Sequence, residues 1–199
     1  HEVHQLVDFE ERDPRLLEIH KLMYFMQETG EELRLNYVKE THGPYATNLR
    51  HVMRRLEGHH LHGYRDGGDA PSKPIQLVPG AVQDAERFLA REPETQARFA
   101  RVAELVDGFE TPHGLELLAT VHWVVERENC RLPAAIIDRV YAWAPHKRQF
   151  PEWQIRLAIE RLESEGWLNL SHDSHEPITQ KDLAGSRDQN INQGQLFDF

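Results

Sequence analysis

The chain has 199 residues, of which 39% are apolar and 28% are charged, so it is long enough to bury a core and is not a disordered polymer. Its 33 acidic residues outnumber its 23 basic residues, and the net charge of −10 disfavours non-specific binding to nucleic-acid phosphates. A single cysteine excludes an internal disulfide and any multi-cysteine metal site, and no apolar stretch has membrane-spanning length. We therefore expect a cytoplasmic protein that does not enter a membrane.

The first half of the chain is predicted to combine helices with short strands. Asp13 and Pro14 suit the start of a helix, and Gly30 suits its end. Apolar and polar residues then alternate over 33–38, which is typical of a strand. The predicted elements are a helix over 15–29, a strand over 33–38, a turn over 42–45, a helix over 46–57, and two strands over 61–64 and 75–78 around a loop at 66–71.

The second half is predicted to be helical. Pro79-Gly80 opens one helix, and further helices are expected over 93–109, from 111 onwards, over 134–143 and over 151–165. The last helix ends at Gly166 and leads into an aromatic strand over 167–170, an order typical of winged-helix folds. The predicted fold class is mainly α with small β-sheets (α+β). The predicted organisation is an N-terminal helical subdomain with a small sheet (1–110), a winged-helix-like subdomain (111–170), and an extended acidic and polar tail (171–199).

Motifs for catalysis or metal binding are weak. The densest histidine clusters, His59-His60-Leu61-His62 and His172-Asp173-Ser174-His175, lie in predicted loops without the convergent spacing that zinc requires. Cys130 has no cations nearby to activate a thiolate, and no nucleophile elbow or phosphate-binding loop is present. His122 lies among apolar residues and is predicted to be a core histidine. The sequence therefore predicts no catalytic residues, no metal, no cofactor and no enzymatic activity.

Two alternatives remain: a hydrolase, which bound metal or turnover would reveal, and a DNA-binding regulator. Its recognition helix would be 151–165, but Arg156 and Arg161 are outnumbered there by glutamates, which disfavours direct DNA binding. The compact basic patch of the chain lies on the second predicted helix and comprises Arg50, His51, Arg54 and Arg55.

Several stretches resemble the C-terminal region of DarG-type antitoxins. The similarity begins with the helix from Leu16 to Gln27 and covers about residues 15 to 170. The matching stretches are Leu16-Leu17-Glu18-Ile19-His20-Lys21-Leu22-Met23-Tyr24-Phe25, Gly43-Pro44-Tyr45-Ala46, Asp66-Gly67-Gly68-Asp69, Leu77-Val78-Pro79-Gly80, Leu117-Leu118-Ala119-Thr120-Val121-His122-Trp123 and Glu165-Gly166-Trp167-Leu168.

This resemblance implies a partner and a function. In DarG proteins an N-terminal macrodomain removes ADP-ribose from DNA, and the C-terminal domain binds DarT, a toxin that ADP-ribosylates thymidine in single-stranded DNA. No macrodomain is present in this sequence, so we expect one upstream in the full-length chain, since this sequence begins with His1 rather than Met. The implied function is neutralisation of a DarT-type toxin by an acidic surface that occupies its single-stranded DNA groove. The alternative is a winged-helix regulator of a toxin–antitoxin operon.

The predicted partner-binding residues lie mainly in and around one loop. Carboxylates there are expected to replace phosphates, glycines to allow close backbone approach, and tyrosines to stack where bases stack. The predicted residues are Tyr45, Arg50, Glu57, Tyr64, Asp66, Gly67, Gly68 and Asp69.

Overall fold

A computed structural model describes residues 13–65 and 70–170. The described chain is mainly helical with two small antiparallel sheets, which confirms the predicted fold class. The predicted tail at 171–199 lies outside the described residues. No helix in the described ranges is both long enough and apolar enough to cross a membrane.

The elements follow one another in a simple order. They are α1 (Leu16–Glu28), β1 (Tyr37–Glu40), β2 (Gly43–Ala46), α2 (Leu49–Leu56), β3 (Leu61–His62), β4 (Gln76–Leu77), α3 (Ala81–Leu89), α4 (Pro93–Val106), α5 (Pro112–Glu126), α6 (Pro133–Trp143), a 3-10 segment (Pro145–Gln149) and α7 (Glu152–Ser164). Strands β1 and β2 form one antiparallel hairpin, and β3 pairs with β4 in a second antiparallel sheet.

Helix α5 lies at the centre of the main core and is buried around most of its circumference. Its N-terminus is capped by Thr111, whose side chain accepts a hydrogen bond from Gly114 N at 3.1 Å. Gly114 is required because a Cβ there would lie 2.6 Å from the carbonyl oxygen of Phe109. Helices α1, α4, α6 and α7 supply the buried side chains that surround α5. A helix that is apolar on nearly all sides is suited to this central position.

A second, smaller core lies on the other side of α1. Leu16 of α1 packs there with residues of α2 and of the strands that flank the loop; the buried members are Leu16, Leu35, Ala46, Leu49, Met53, Leu61, Tyr64 and Ile75. Tyr24 and Phe25 of the same helix belong to the main core with α5 to α7. Helix α1 therefore joins the two cores. The division of the chain near residue 110 stays a prediction.

The strand predicted over 33–38 begins only at Tyr37. Arg34 has a φ of +54°, which interrupts extended backbone, and the side-chain amide of Gln27 pairs with both backbone groups of Leu35, at 2.7 and 3.0 Å. The Gln27 side chain thus supplies the hydrogen bonds that a neighbouring strand would otherwise make to Leu35.

The strand predicted over 167–170 is wrong, because no strand follows α7 within the described part of the chain. Trp167 and Leu168 are instead buried in the main core, with the Trp167 ring edge-on to Phe25. Burial against helices, and not strand pairing, explains the aromatic pattern. The winged-helix character of residues 111–170 stays a prediction.

His122 is a core histidine, as predicted. It is 3% exposed, and a hydrogen bond of 2.8 Å joins its Nδ1 to Tyr24 Oη. Burial, and then the positive charge of Arg127, lowers the pKa of His122 to about 3. The imidazole is therefore neutral in the folded protein over the ordinary pH range.

This neutral histidine should make the protein sensitive to acid. Between about pH 6.5 and pH 3 the unfolded chain binds a proton at residue 122 that the folded chain does not. The free energy of unfolding therefore decreases as the pH is lowered through this range, by on the order of 1 kcal/mol per pH unit. We expect the variant Tyr24→Phe/His122→Leu to lose less stability than wild type between pH 7 and pH 5 in urea unfolding. The exposed control His59→Leu should keep the wild-type slope. Equal slopes in all three proteins would contradict the assignment.

Candidate functional site

Three charged side chains are buried where α1, the β1–β2 hairpin, α5 and the 3-10 segment meet. Lys21 of α1 is 2% exposed, Glu116 of α5 is 4% exposed and Lys147 of the 3-10 segment is fully buried. Buried charges are costly unless they are paired and hydrogen-bonded, so their presence at one point needs a structural or functional reason.

Glu116 is the centre of this cluster. Lys147 Nζ donates to Glu116 Oε1 at 2.7 Å and to Thr120 Oγ1 at 2.8 Å. His146 Nε2 lies 2.8 Å from the same carboxylate oxygen, and His42 Nδ1 lies 3.3 Å from the other. One carboxylate on the central helix therefore binds the hairpin and the 3-10 segment at the same time.

The pKa values of Glu116 and Lys147 reflect the burial of this ion pair. Burial by itself would raise the pKa of Glu116, but Lys147 and His146 together hold that pKa below its ordinary value. Burial lowers the pKa of Lys147 to about 8, although the attraction of Glu116 acts in the opposite direction. At neutral pH the pair is thus a carboxylate with an ammonium group.

Lys21 joins helix α1 to the β1–β2 hairpin through a hydrogen bond. Its Nζ donates to the carbonyl oxygen of Pro44 at 2.6 Å. Gly43 allows this approach, because its φ is +94° and a Cβ there would lie 3.0 Å from Thr120 Oγ1 and 3.4 Å from Lys21 Nζ. Burial first, and then the charge of Lys147, lowers the pKa of Lys21 to about 7, while Glu116 raises it.

A cavity of about 310 Å³ opens beside Lys21. Its walls come from the first helix, from the hairpin and from the segment before β4; the lining residues are Leu16, Leu17, His20, Lys21, Glu40, Thr41, His42, Gly43, Tyr45 and Pro71. The rings of His20 and Tyr45 stack there, with centroids 4.3 Å apart and planes 23° apart. The cavity thus combines a buried lysine, a flat aromatic surface and an apolar side.

A divalent metal ion is the first ligand to test against this cluster. His42, Glu116 and His146 offer ligand atoms that all lie within 4.8 Å of one another, and two histidines with a carboxylate can bind zinc. However, Glu116 Oε1 already accepts a hydrogen bond from the Lys147 ammonium, and Lys21 adds a second buried cation nearby. Both lysines repel a metal ion, so the site suits an anion better than a cation.

The residues predicted as partner-binding lie in different environments. Tyr45 lines the cavity, and Arg50 is exposed on α2. The carboxylate of Glu57 accepts hydrogen bonds from Gly63 N at 3.2 Å and Tyr64 N at 2.9 Å, and Tyr64 is only 5% exposed. Asp66, Gly67, Gly68 and Asp69 lie outside the described residues. The structure therefore brings Glu57 and Tyr64 together in a turn, and partner binding by the whole set stays a prediction.

Sequence reasoning missed the charged cluster. Its members are far apart in the chain; they are His42, Glu116, Thr120, His146 and Lys147. One local signal was available, because Glu116 and Thr120 occupy positions i and i+4 of a helix that is otherwise almost wholly apolar. Polar residues at that spacing on a buried helix indicate a partner from elsewhere in the chain.

The pairing of Glu116 can be tested by unfolding. Glu116→Gln leaves Lys147 without its buried countercharge, so we expect a loss on the order of 3 kcal/mol in the free energy of unfolding. Glu152→Gln removes a carboxylate from an exposed pair with Arg156 and should cost less than about 1 kcal/mol. The double variant Glu116→Gln/Lys147→Met should recover stability relative to Glu116→Gln. Equal losses for the Glu116 and Glu152 variants would show that the cluster is not stabilising.

No protein-family model matches the chain. Three curated relatives do, and each is named DNA ADP-ribosyl glycohydrolase. The relative from Thermus aquaticus is 44% identical over 152 residues, which is 76% of this chain and 42% of the relative. Those from Mycobacterium bovis and Mycobacterium tuberculosis are each 34% identical over 152 residues, which is 73% of this chain and 43% of the relative. The chain therefore spans less than half the length of the relatives it matches.

These names correct one prediction and support another in part. The prediction that the chain is not an enzyme is wrong as it stands, because the relatives are named for an enzymatic activity. The resemblance to DarG proteins is supported over about three quarters of the chain, whereas its assignment to a C-terminal domain stays a prediction. The chain is thus similar, over most of its own length, to part of the DNA ADP-ribosyl glycohydrolases.

Proposed function

We propose that this chain acts in a DNA ADP-ribosylation system of the DarT/DarG type, where it binds the toxin and blocks its single-stranded DNA groove. The observation that carries the proposal is the similarity to the DNA ADP-ribosyl glycohydrolases over 152 residues, at up to 44% identity. Those relatives are named for removing ADP-ribose from DNA. The reaction that this activity reverses is the attachment of ADP-ribose to DNA, so we infer a partner that carries out the attachment. Because this chain matches less than half of each relative, it corresponds to one region of those proteins.

The net charge of the chain supports an interaction with a basic groove. A toxin that grips single-stranded DNA presents cations along the path of the phosphates, and a protein of charge −10 is drawn to such a surface. The predicted contact residues are Glu57, Asp66 and Asp69 as phosphate substitutes, with Gly67, Gly68, Tyr45, Tyr64 and Arg50 around them. The hydrogen bonds of Glu57 to Gly63 N and Tyr64 N support a role in holding the turn that leads into this loop.

A DNA-binding regulator is the second candidate, and the basic face of α2 favours it. Arg50, Arg54 and Arg55 are exposed and pair with no carboxylate in the described part of the chain. Helix α7 does not favour DNA binding, because both of its arginines are occupied. Arg156 donates twice to Glu152 Oε1, at 2.9 and 2.6 Å, and Arg161 donates to Glu165 Oε1 and to the carbonyl oxygen of Asp107.

Calorimetric titration of this chain into a catalytically inactive DarT-type toxin tests the proposal. We expect tight binding that a thymidine-containing single strand competes away, because both would occupy the same basic groove. Absence of binding at micromolar concentrations would overturn it. Salt-sensitive binding to a duplex, lost in Arg50→Gln/Arg54→Gln/Arg55→Gln, would favour the regulator instead. The same preparation should be assayed for release of ADP-ribose from modified DNA, the activity for which the relatives are named.

Charge neutralisation of the loop gives a sharper test. We expect Asp66→Asn/Asp69→Asn to weaken toxin binding tenfold or more, about 1.4 kcal/mol, since two phosphate substitutes are lost. Glu57→Gln should be measured separately, because Glu57 also holds the backbone of Gly63 and Tyr64. The control Asp138→Asn/Glu160→Gln removes the same charge from exposed positions on α6 and α7 and should bind like wild type. Equal affinities for the loop variant and the control would move the contact to another surface.

A further inference from the structure

The cavity beside Lys21 is lined by a buried ammonium group with unused hydrogen-bonding capacity. An ammonium group has three protons, and the structure gives Lys21 Nζ one acceptor, the carbonyl oxygen of Pro44 at 2.6 Å. Lys21 is 2% exposed and forms no ion pair with a carboxylate among the described residues. A buried cation in that position favours an acceptor of negative charge in the adjoining space.

The charges around the cavity are unbalanced. Lys21 and His20 face it from α1, His42 and Glu40 from the hairpin, and Lys147, His146 and Glu116 lie behind it on the 3-10 segment and α5. Glu116 already interacts with Lys147, His146 and His42, so its charge is shared among three groups. Glu40 is exposed, and its solvated carboxylate offsets little of the buried positive charge.

The cavity has the size and lining of a small-molecule site. Its volume of about 310 Å³ falls at the lower end of the range of ligand pockets. Leu16, Leu17 and Pro71 form an apolar side, and the stacked rings of Tyr45 and His20 form a flat one. A ligand that fits this lining has an anionic group at one end and an apolar or aromatic body at the other.

We propose that this cavity binds a small anionic ligand, with a phosphate, sulfate or carboxylate group accepting from Lys21 Nζ and an apolar or aromatic body against Leu17 and Tyr45. The proposal does not rest on toxin binding, because it is argued from the cavity between α1 and the hairpin and not from residues 66–69, although Tyr45 is also one of the predicted toxin contacts. The ligand would touch α1, the hairpin and Pro71 at once, and would therefore stabilise the packing of these three segments.

Binding should depend on pH through the charge of Lys21. Burial and Lys147 lower its pKa to about 7, so the free protein is partly deprotonated at neutral pH. An anion favours the protonated form, so its affinity should rise as the pH falls below about 7 and decline as the pH rises towards 9. The groups that face Lys21 and also titrate or carry charge are His20, His42, Glu40, Glu116, His146 and Lys147. Sulfate keeps a constant charge over this range and so reports the titration of the protein alone.

The first experiment is titration of the full chain with sulfate and with phenyl phosphate, followed by the chemical shifts of backbone amides in α1 and the hairpin. We expect saturable shifts at residues that line the cavity, and phenyl phosphate to bind at least tenfold more tightly than sulfate because its ring covers apolar surface. Lys21→Met should weaken binding of both at least tenfold. The control Lys39→Met removes a partly exposed hairpin lysine that pairs with Glu128 and should bind like wild type. Shifts that spread over the surface without saturating would overturn the proposal.

A rim variant keeps the test valid if Lys21→Met does not fold. Thr41 lines the cavity and is exposed, so Thr41→Glu adds a negative charge at the entrance without disturbing the core. We expect it to weaken sulfate binding at least fivefold, whereas Thr47→Glu, at an exposed position just beyond β2, should not. Zinc should be titrated in parallel. Saturable zinc binding that is lost in His146→Ala, with no sulfate binding, would overturn the anion site in favour of a metal site.

Discussion

The buried carboxylate of Glu116 is the interaction on which the arrangement of the other elements depends. A carboxylate that is 4% exposed on the central helix must be neutralised and hydrogen-bonded, because its desolvation would otherwise destabilise the folded state. Its partners come from a 3-10 segment 31 residues later and from a hairpin 74 residues earlier. The charge cluster therefore fixes both segments to the central helix, in addition to the apolar packing of residues such as Ala46 and Phe150.

The buried cluster around Glu116 also includes the contact between helix α1 and the β1–β2 hairpin. Lys21 reaches the Pro44 carbonyl oxygen only because Gly43 leaves space beside Thr120, and Thr120 is itself a partner of Lys147. Lys21 of α1 and the Gly43-Pro44 pair of the hairpin are thus the two sides of a single contact. A side chain at position 43 would disturb α1, α5 and the hairpin together.

The sequence predicted most helices because their ends are marked by local chemistry, such as Thr111 before Pro112 or Gly80 before Ala81. It did not predict that Gln27 would replace a strand beside Leu35, since that contact depends on how α1 meets a loop. The charged cluster was missed for the same reason: Lys21 and Pro44 are 23 residues apart, and Glu116 and Lys147 are 31 apart. Local periodicity shows that Glu116 is on a buried helix but not which cation meets it.

The chain separates its charges by depth. The surface is acidic on balance, and its field acts over a screening length of about 8 Å at physiological ionic strength, which governs how large charged partners approach. The cavity lies beside the buried side chain of Lys21, whose charge is only weakly screened there because the group is removed from solvent. An acidic net charge disfavours the approach of a long nucleic acid, whereas the proposed anion site would admit a small anion to Lys21. The two proposed interactions, with a basic toxin surface and with a small anion, would therefore act at different depths of the same chain.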